Sequence, residues 1–301
     1  MANSRFVIAT DRGVVAVTGA DAEPFLQGLV TNDLKHLERL PGIHAGLLSP
    51  QGKILLAFMI VKIDGGYLLE TAAAATGDLV KRLGLYKLRA KLEIADRSAE
   101  YRLALVWGAA APRAEQAIVF PDPRAEALGW RVLVATADAE GLAAAWRADG
   151  IEAAAVADYH AHRIGVGVPE AGLDFGAGEV FPHEANFDRL HGVDFKKGCF
   201  VGQEVVSRMQ HKTVVRKRIV PVTGSQDLPV GEREISAVDI AIGKLGSTAG
   251  RQGLALVRLD RVLEAQAADK PIIVGGVGVS VSTQALALFE NEARQRVEDA
   301  R

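Results

Sequence analysis

The residue in this sequence with the most distinctive chemistry is Cys199, the only cysteine among 301 residues. It lies in the segment FKKGCFVGQEVVSRMQHK, residues 195–212, directly after Lys196, Lys197 and Gly198. Nearby cations favour the thiolate, the form of cysteine that attacks electrophiles and binds metals. Because unpaired cysteines are also among the most frequently buried residues, the pattern leaves open the alternative that Cys199 is an inert core residue.

A run of basic residues surrounds and follows this cysteine. Residues 196–218 hold seven Lys or Arg residues against a single Glu. Such a patch suits an anionic ligand, such as a polyglutamate tail or a phosphate, or the acidic face of a partner. The alternative is a solvated strand face, and His211 alone is a weak indication of a metal site.

Aromatic and polar residues alternate in the preceding segment, GEVFPHEANFDRLHGVDF, residues 178–195. Glu184 and Asn186 lie beside Phe181 and Phe187, a combination that suits a flat heteroaromatic ligand, because a carboxylate can accept two N–H bonds from one edge of the ring. The alternative is that Glu184 caps a turn.

Composition excludes several classes of function. The hydrophobic and charged fractions, 49% and 24%, are those of ordinary globular proteins, and the net charge of −2 does not favour nucleic acid. A single cysteine excludes an internal disulfide and a four-thiolate zinc or iron–sulfur site built from one chain. The N-terminal residues lack the features of a secretory signal, and the longest apolar run, residues 54–61, is too short to span a membrane. We expect a cytoplasmic monomer without a resident metal, with neither nucleic acid nor membrane as partner.

The elements that must position these residues form a mixed pattern. Strand, turn, strand and a helix capped by Asp21 account for the first forty-five residues. Residues 44–150 predict a mainly antiparallel α+β region, including a short helix over APRAEQAIVF at 111–120. A helix at 151–165 and a loop-rich stretch at 166–203 follow, and glycine-punctuated strands from about 214 to 290 predict a small barrel or sandwich.

One contiguous motif connects the sequence to a known family. Lys197 to Glu204 read KGCFVGQE, which is similar to the hallmark Lys-Gly-Cys-aromatic-x-Gly-Gln-Glu of the YgfZ family. Further matches are FLQGLVTNDL at 25–34, LSPQGKIL at 48–55, RIGVGVPE at 163–170, FPHEANFDRLHGVDFKKG at 181–198 and GLALVRLDRV at 253–262. The chain therefore resembles these folate-binding relatives of the glycine-cleavage T-protein, a family that includes a mitochondrial iron–sulfur assembly factor.

The resemblance implies an α+β, three-domain, T-protein-like architecture around a central opening of folate size. The expected domains are a discontinuous folate-binding domain of residues 1–45 plus 151–212, an inserted α+β domain of 46–150, a C-terminal β-barrel of 213–290, and a charged tail of 291–301.

The resemblance also implies a function, namely support of iron–sulfur cluster assembly or repair that depends on tetrahydrofolate or a derivative. Iron–sulfur assembly or recipient proteins are the implied partners, and a transient cluster is a second implied ligand. The implied functional thiol is Cys199. The residues expected to bind the folate are Glu184 facing the pterin, Asn32 and Asp33 at the rim of the opening, Arg163 near the same cavity, and Lys197.

Two alternatives from other classes remain open. One is a folate-dependent aminomethyltransferase or other one-carbon transferase, which needs a carboxylate near the reactive nitrogens of the folate. Leu55 and Leu56 occupy the positions where the T-protein carries aspartates, which argues against glycine cleavage, although Asp33 or Glu184 could compensate. The other is an interaction scaffold that uses the basic stretch 212–218.

Overall fold

The computed structural model describes residues 4–231 and 233–299, and the chain forms two compact units. The first unit comprises Met1–Pro50, Ile54–Tyr159 and Arg189–Val201, and the second comprises Gln51–Lys53, His160–Asp188 and Gly202–Arg301. Each unit is therefore built from segments that are distant in sequence. The finer division into three domains stays a prediction.

The first unit is a mixed α/β structure. Its strands are β1 (Arg5–Ala9), β2 (Arg12–Thr18), β3 (Ile43–Leu48), β4 (Ile54–Ile63), β5 (Gly66–Ala72), β6 (Glu93–Asp96), β7 (Tyr101–Trp107), β8 (Ile118–Pro121), β9 (Trp130–Ala135) and β10 (Glu152–Ala153). Its helices are α1 (Ala22–Gln27), α2 (Thr76–Lys87) and α3 (Ala139–Ala148), with short 3₁₀ helices at Leu34–Glu38, Ala73–Ala75 and Glu126–Leu128. The helix α4 (Val156–Val166) follows.

Two five-stranded sheets organise this unit, with strand orders β10-β1-β7-β9-β8 and β3-β4-β5-β2-β6. All neighbouring strands are antiparallel except β1 and β10. The sheets share one apolar core, to which Leu105 contributes from the first sheet and Leu68 from the second. The outer face of the first sheet packs against α3 through Trp146, and the second sheet packs against α1 and α2.

The sequence of β7 shows why a central strand of the first unit is almost continuously apolar. Successive side chains of a strand point to opposite faces. Leu103 and Leu105 face the core between the two sheets, whereas Ala104 and Val106 face α3. Both faces are covered, so the strand does not alternate between apolar and polar residues.

The second unit contains the predicted barrel. After α5 (Gln203–Lys212), the strands are β11 (Lys217–Gly224), β12 (Glu234–Ala237), β13 (Ile240–Ala249), β14 (Gln252–Arg258), β15 (Ile272–Val274) and β16 (Val277–Val281), with α6 (Leu259–Ala267) and α7 (Thr283–Asp299). The strands close into a barrel in the order β11-β14-β13-β12-β15-β16. The predicted C-terminal barrel is therefore confirmed. Part of the predicted charged tail, residues 291–299, lies in α7, and residues 300 and 301 lie outside the described part of the chain.

Three local expectations are wrong. Residues 111–120 contain the strand β8 in place of a helix, because Ile118 and Phe120 pair with β9 in the first sheet. The Asp21 carboxylate does not cap α1, because it accepts the Lys91 amide at 2.6 Å instead. The stretch 151–165 begins with β10, and its helix starts only at Val156. Over residues 4–231 and 233–299, no helix has both the length and the apolar character needed to cross a membrane.

A network of buried ions lies inside the first unit. Arg131 contacts the carboxylates of Glu70 at 2.5 Å and Asp122 at 2.7 Å, and all three side chains are at most 2% exposed. Arg124 also contacts Asp122, and Arg12 also contacts Glu70. Burial alone would raise the pKa of Asp122, but Arg124 and Arg131 outweigh it and hold this pKa well below its ordinary value. Arg131 contacts both carboxylates and so joins Glu70 to Asp122.

We predict that Arg131→Met lowers the free energy of unfolding of the first unit by about 3 kcal/mol, because it leaves Glu70 and Asp122 buried with one cation fewer each. Urea unfolding followed by tryptophan fluorescence measures this, since the three tryptophans of the chain, at 107, 130 and 146, all lie in the first unit. The control is Arg147→Met, which removes an exposed arginine 3.5 Å from Glu140 and should cost less than about 0.5 kcal/mol. Equal effects of the two substitutions would contradict the prediction.

Candidate functional site

The loop that carries Cys199 is the segment Arg189–Val201, and it belongs to the first unit. We call it the cysteine loop. It is held by the Thr31-Asn32-Asp33 motif: Thr31 donates its hydroxyl to Gly192 O at 2.5 Å, and the Asp194 amide donates to Thr31 O at 3.0 Å. Asn32 donates its side-chain amide to His191 O, and also to His44 O, at 2.8 Å each. The motif therefore fixes the path of the loop before the cysteine.

Lys197 anchors the cysteine loop from within. Its ammonium group is buried and donates to the carbonyl oxygens of Gln27 at 2.8 Å, Val30 at 2.5 Å and Asn32 at 3.1 Å. Burial lowers the pKa of Lys197 to about 8, while Asp33 and Asp194 act in the opposite direction. An ammonium has three donors, and here they go to three carbonyl groups of the protein. These bonds make Lys197 a positioning residue, and its expected role in folate binding stays a prediction.

Cys199 itself is exposed and has a free thiol. The next residue, Phe200, is buried, and its ring centre lies 5.1 Å from the Lys197 ammonium nitrogen. Val201 packs against the core of the first unit. The thiol is thus displayed between two anchored positions, and the alternative of an inert core cysteine is wrong.

The two glycines beside the cysteine differ in their roles. Gly202 has φ of +81°, in the left-handed region that favours glycine, and stands at the start of α5. Gly198 is not among the positive-φ residues of the described chain, and a Cβ there would meet no atom within 4 Å. Gly198 therefore leaves the main chain before Cys199 open to approach and does not serve to bend it.

A cavity of about 620 Å³ lies against the cysteine loop within the first unit. Its lining residues are Asn32, His36, Leu40, Pro41, Gly42, Ile43, His44, Pro121, Pro123, His191, Val193, Asp194, Phe195 and Lys196. Its volume and its combination of apolar walls with few polar groups are those of a small-molecule site. Five of the lining residues come from the cysteine loop, so the loop that forms this wall also presents the thiol.

The polar part of this cavity is built around Asp194. His36 Nε2 lies 2.8 Å from Asp194 Oδ2, and the Lys196 amide donates to Oδ1 at 2.7 Å. Burial acts to raise the pKa of Asp194, but the hydrogen bonds from Lys196 and His36 outweigh it and lower this pKa. Asp194 is therefore a carboxylate that can accept N–H groups of a ligand.

The other expected folate residues belong to different units of the chain. Asn32 lines the cavity, whereas Asp33 is not among its lining residues and accepts hydrogen bonds from Gln27 Nε2 and the Lys35 amide. Arg163 and Glu184 belong to the second unit.

In the second unit, Arg163 is fully buried and donates to Val168 O, the Asp174 carboxylate and the Ser247 hydroxyl. These bonds make it a structural anchor, and its expected place at a folate stays a prediction. Glu184 accepts the Phe181 amide at 2.8 Å, so the alternative of a turn cap is confirmed.

The basic stretch is divided between two elements. Arg208 and Lys212 are exposed on α5, and Arg216 is exposed just before β11. Arg218 is buried, with both terminal nitrogens bonded to Asp188 at 2.8 and 2.9 Å. The scaffold hypothesis therefore loses Arg218 from its binding surface.

Two kinds of group that metal binding or proton transfer would need are absent from the positions considered. Within the described residues, no group of three or more His, Cys, Asp or Glu side chains is arranged to hold a metal ion. At the positions where a transferase would need carboxylates, Leu56 is buried and Leu55 packs against the core of the first unit. Neither leucine can transfer a proton.

Comparison with solved structures identifies the fold. The crystal structure of glycine cleavage system aminomethyltransferase T from Bartonella henselae superposes with a TM-score of 0.76 over 95% of this chain and 86% of that one, at 14% identity. At this identity the likeness shows the fold alone, and it confirms the expected T-protein-like α+β architecture. The family model for the CAF17 C-terminal beta-barrel domain matches residues 216–287, which form the barrel.

Sequence comparison gives the family. The human iron–sulfur cluster assembly factor IBA57, mitochondrial, is 34% identical over 279 residues, which cover 83% of this chain and 76% of the human protein. This chain belongs to the IBA57 family. A homologue from Mycosarcoma maydis is 39% identical over 228 residues, 70% of this chain, and this chain spans only 55% of that relative's length.

Family membership bears on two earlier expectations. The kinship with a mitochondrial iron–sulfur assembly factor is confirmed, whereas the narrower YgfZ assignment stays a prediction. The relatives are described as mitochondrial, and the expected cytoplasmic location of this chain is not confirmed.

Sequence reasoning missed the pair His36 and Asp194, which are 158 residues apart. A signal was present, because His36 follows the Thr-Asn-Asp motif and Asp194 precedes the Lys-Gly-Cys motif by three residues. Neither motif alone indicates that the two polar side chains meet at one cavity.

We predict that Lys197→Met lowers the free energy of unfolding of the first unit by about 2–4 kcal/mol, because it leaves three carbonyl groups without their donor. Lys196→Met is the matched control: Lys196 is exposed, and its loss should change stability by less than about 0.5 kcal/mol. Urea unfolding followed by tryptophan fluorescence measures the free energy of unfolding of both variants. A Lys197→Met protein as stable as the wild type would show that Lys197 is not an anchor.

Proposed function

We propose that this protein supports the assembly or repair of iron–sulfur clusters, with Cys199 as its functional thiol and tetrahydrofolate, or a derivative, as its ligand. The observation that carries the proposal is the cysteine loop, which lines a cavity with its first half and exposes a free thiol in its second half. Membership of the IBA57 family supports the cluster-related part of the proposal.

The thiol is suited to transient contact with a cluster. Iron–sulfur clusters are held by cysteine thiolates, usually four for each cluster. The chain has one cysteine, so the cluster is a passing substrate whose other ligands come from a partner protein or a small thiol. Exposure of Cys199 on an anchored loop supports such sharing, because a second molecule can reach the sulfur.

The cavity suits a reduced folate. Its apolar residues, including Ile43, Phe195 and Pro121, can take the flat rings of the ligand, and the Asp194 carboxylate can accept N–H groups from the pterin. Lys196 is exposed at the wall and can meet the carboxylates of a glutamate tail. When bound, tetrahydrofolate supplies nitrogens that carry one-carbon groups.

The residues expected from the family resemblance take revised places in this proposal. Asn32 lines the cavity, and its contact with the ligand stays a prediction. Arg163 donates to Asp174 and Lys197 donates to main-chain carbonyls, so both position the chain, and their contacts with the folate stay predictions as well. The pterin contact of Glu184 and the rim position of Asp33 stay predictions. The central opening of folate size also stays a prediction.

Ligand and thiol are coupled through the chain itself. A ligand that binds against this wall of the cavity contacts residues between His191 and Lys196, and Cys199 follows three residues later. Ordering of the first half of the loop would therefore alter the exposure or mobility of the thiol. Through this effect on the loop, cluster chemistry at Cys199 can depend on a bound folate even though the folate does not touch the sulfur.

The second candidate function is a folate-dependent one-carbon transferase. The apolar packing of Leu55 and Leu56 argues against it, because no proton-transfer group stands at these positions. Assay of the purified protein for folate-dependent formaldehyde or methylene turnover distinguishes the two functions. Turnover that survives Cys199→Ser would favour the transferase.

We predict that Cys199→Ser binds tetrahydrofolate within about threefold of the wild type, because the thiol does not line the cavity, and loses support of cluster-dependent enzymes. Calorimetry measures the binding. Complementation of cells that lack the endogenous family member, read out as the activity of an iron–sulfur enzyme, measures the function.

The control for this prediction is Ser207→Ala, which removes an exposed hydroxyl from α5 and should complement like the wild type. A Cys199→Ser protein that complements fully would contradict the role of the thiol. Failure of the wild-type protein to bind tetrahydrofolate would contradict the ligand and leave the thiol intact as a proposal.

A further inference from the structure

The helix α2 has an apolar surface on the side that does not pack against the protein. Its buried residues are Thr76, Leu79 and Leu83. At its C-terminal end, Leu85 is 70% exposed and Leu88 is 89% exposed, and Tyr86 beside them is 38% exposed. Large apolar side chains clustered and exposed in this way indicate an interaction site when polar groups surround them.

Four cations lie close to these three residues in sequence. Lys81, Lys87, Arg89 and Lys91 lie within a few residues of them, and in residues 4–231 and 233–299 none of the four forms an ion pair. Arg82, by contrast, is neutralised by Asp78 at 2.6 Å. We call Leu85, Tyr86, Leu88 and the four unpaired cations the α2 surface. A surface of this kind is complementary to an acidic partner that carries apolar side chains.

The backbone around Leu88 is held in place on both sides. Leu88 has φ of +42°, an uncommon conformation for a branched residue. After it, the Ala90 amide donates to Lys87 O at 2.8 Å, the Lys91 amide donates to the Asp21 carboxylate at 2.6 Å, and Leu92 is buried. A protruding leucine on such a fixed main chain suits a shaped pocket on a protein, because the backbone that carries it is already ordered before binding.

An exposed side of α2 permits close approach of another backbone. Residues 77, 81 and 84 recur at intervals of four and three and so lie on one side of the helix, and Leu88 follows directly after the helix ends at Lys87. Gly77 and Gly84 are two of them, and a Cβ at either position would meet no atom within 4 Å. A partner helix could therefore approach α2 closely between Lys81 and Leu88.

We propose that the α2 surface docks a partner protein through an acidic helix that carries apolar side chains. The unpaired cations favour an acidic partner. The leucine on its ordered main chain favours a pocket on a protein over a fluid bilayer, and the two glycines favour a helix as the element that approaches. The proposal stands on observations independent of the cysteine loop and its cavity, so it can fail or hold separately from the proposed function.

Site-specific photo-crosslinking in the cells that naturally produce the full chain tests this proposal. A benzophenone amino acid is placed at position 88 in place of Leu88, and mass spectrometry identifies the crosslinked molecule and segment. We expect one protein, crosslinked through an acidic helical segment. The double variant Lys87→Glu with Arg89→Glu should reduce the crosslink at least tenfold. The control places the same amino acid at Val230, which is 88% exposed in the second unit and should give no such product.

A second measurement makes the result quantitative. A synthetic peptide with the sequence of the crosslinked segment should bind the wild-type protein at least tenfold more tightly than the double variant, with circular dichroism confirming that the variant is folded. Crosslinks to lipid, to a second copy of the chain or to a non-acidic segment would overturn the proposal. Absence of a crosslink, or peptide binding that charge reversal leaves unchanged, would overturn it as well.

Discussion

The arrangement of the candidate site depends on one buried ammonium group. Lys197 donates to three carbonyl groups in the segment from α1 to the Thr-Asn-Asp motif, and so ties two parts of the chain that are 165 to 170 residues apart. A buried charge without partners would be costly, and three carbonyl acceptors together with two nearby carboxylates make it tolerable. The position of the next residues, and with them the exposure of Cys199, follows from this anchor.

The Thr31-Asn32-Asp33 motif complements that anchor from the opposite side. Thr31 and Asn32 each donate to the main chain of the cysteine loop, so both side chains help to fix its path. Polar residues that resemble ligand contacts in sequence are thus used to shape the loop. The groups left to meet a ligand are those on the cavity wall, chiefly Asp194 with its partner His36 and the exposed Lys196.

Much of the fold could be predicted from the sequence, because apolar runs and turn residues mark the strands and the glycine-rich C-terminal part marks the barrel. The sequence predicts a helix where β8 lies, because the Ala-rich residues before this strand have helical propensity, whereas pairing with β9 decides its structure. Glu184, Arg163 and Lys197 were expected at a ligand, yet their hydrogen bonds go to protein groups. Such bonds join residues that are distant in sequence or depend on local turns, and residue type alone does not report them.

The central claim, that a folate in the cavity controls the thiol on the same loop, can be tested directly because the chain has a single cysteine. The measurement is the rate of Cys199 alkylation by iodoacetamide with and without saturating tetrahydrofolate. The account predicts that the folate changes this rate at least threefold, and that Asp194→Asn, which removes the carboxylate charge from the cavity, shifts the effect to about tenfold higher folate concentrations. An alkylation rate that stays constant while calorimetry shows the folate bound would contradict it.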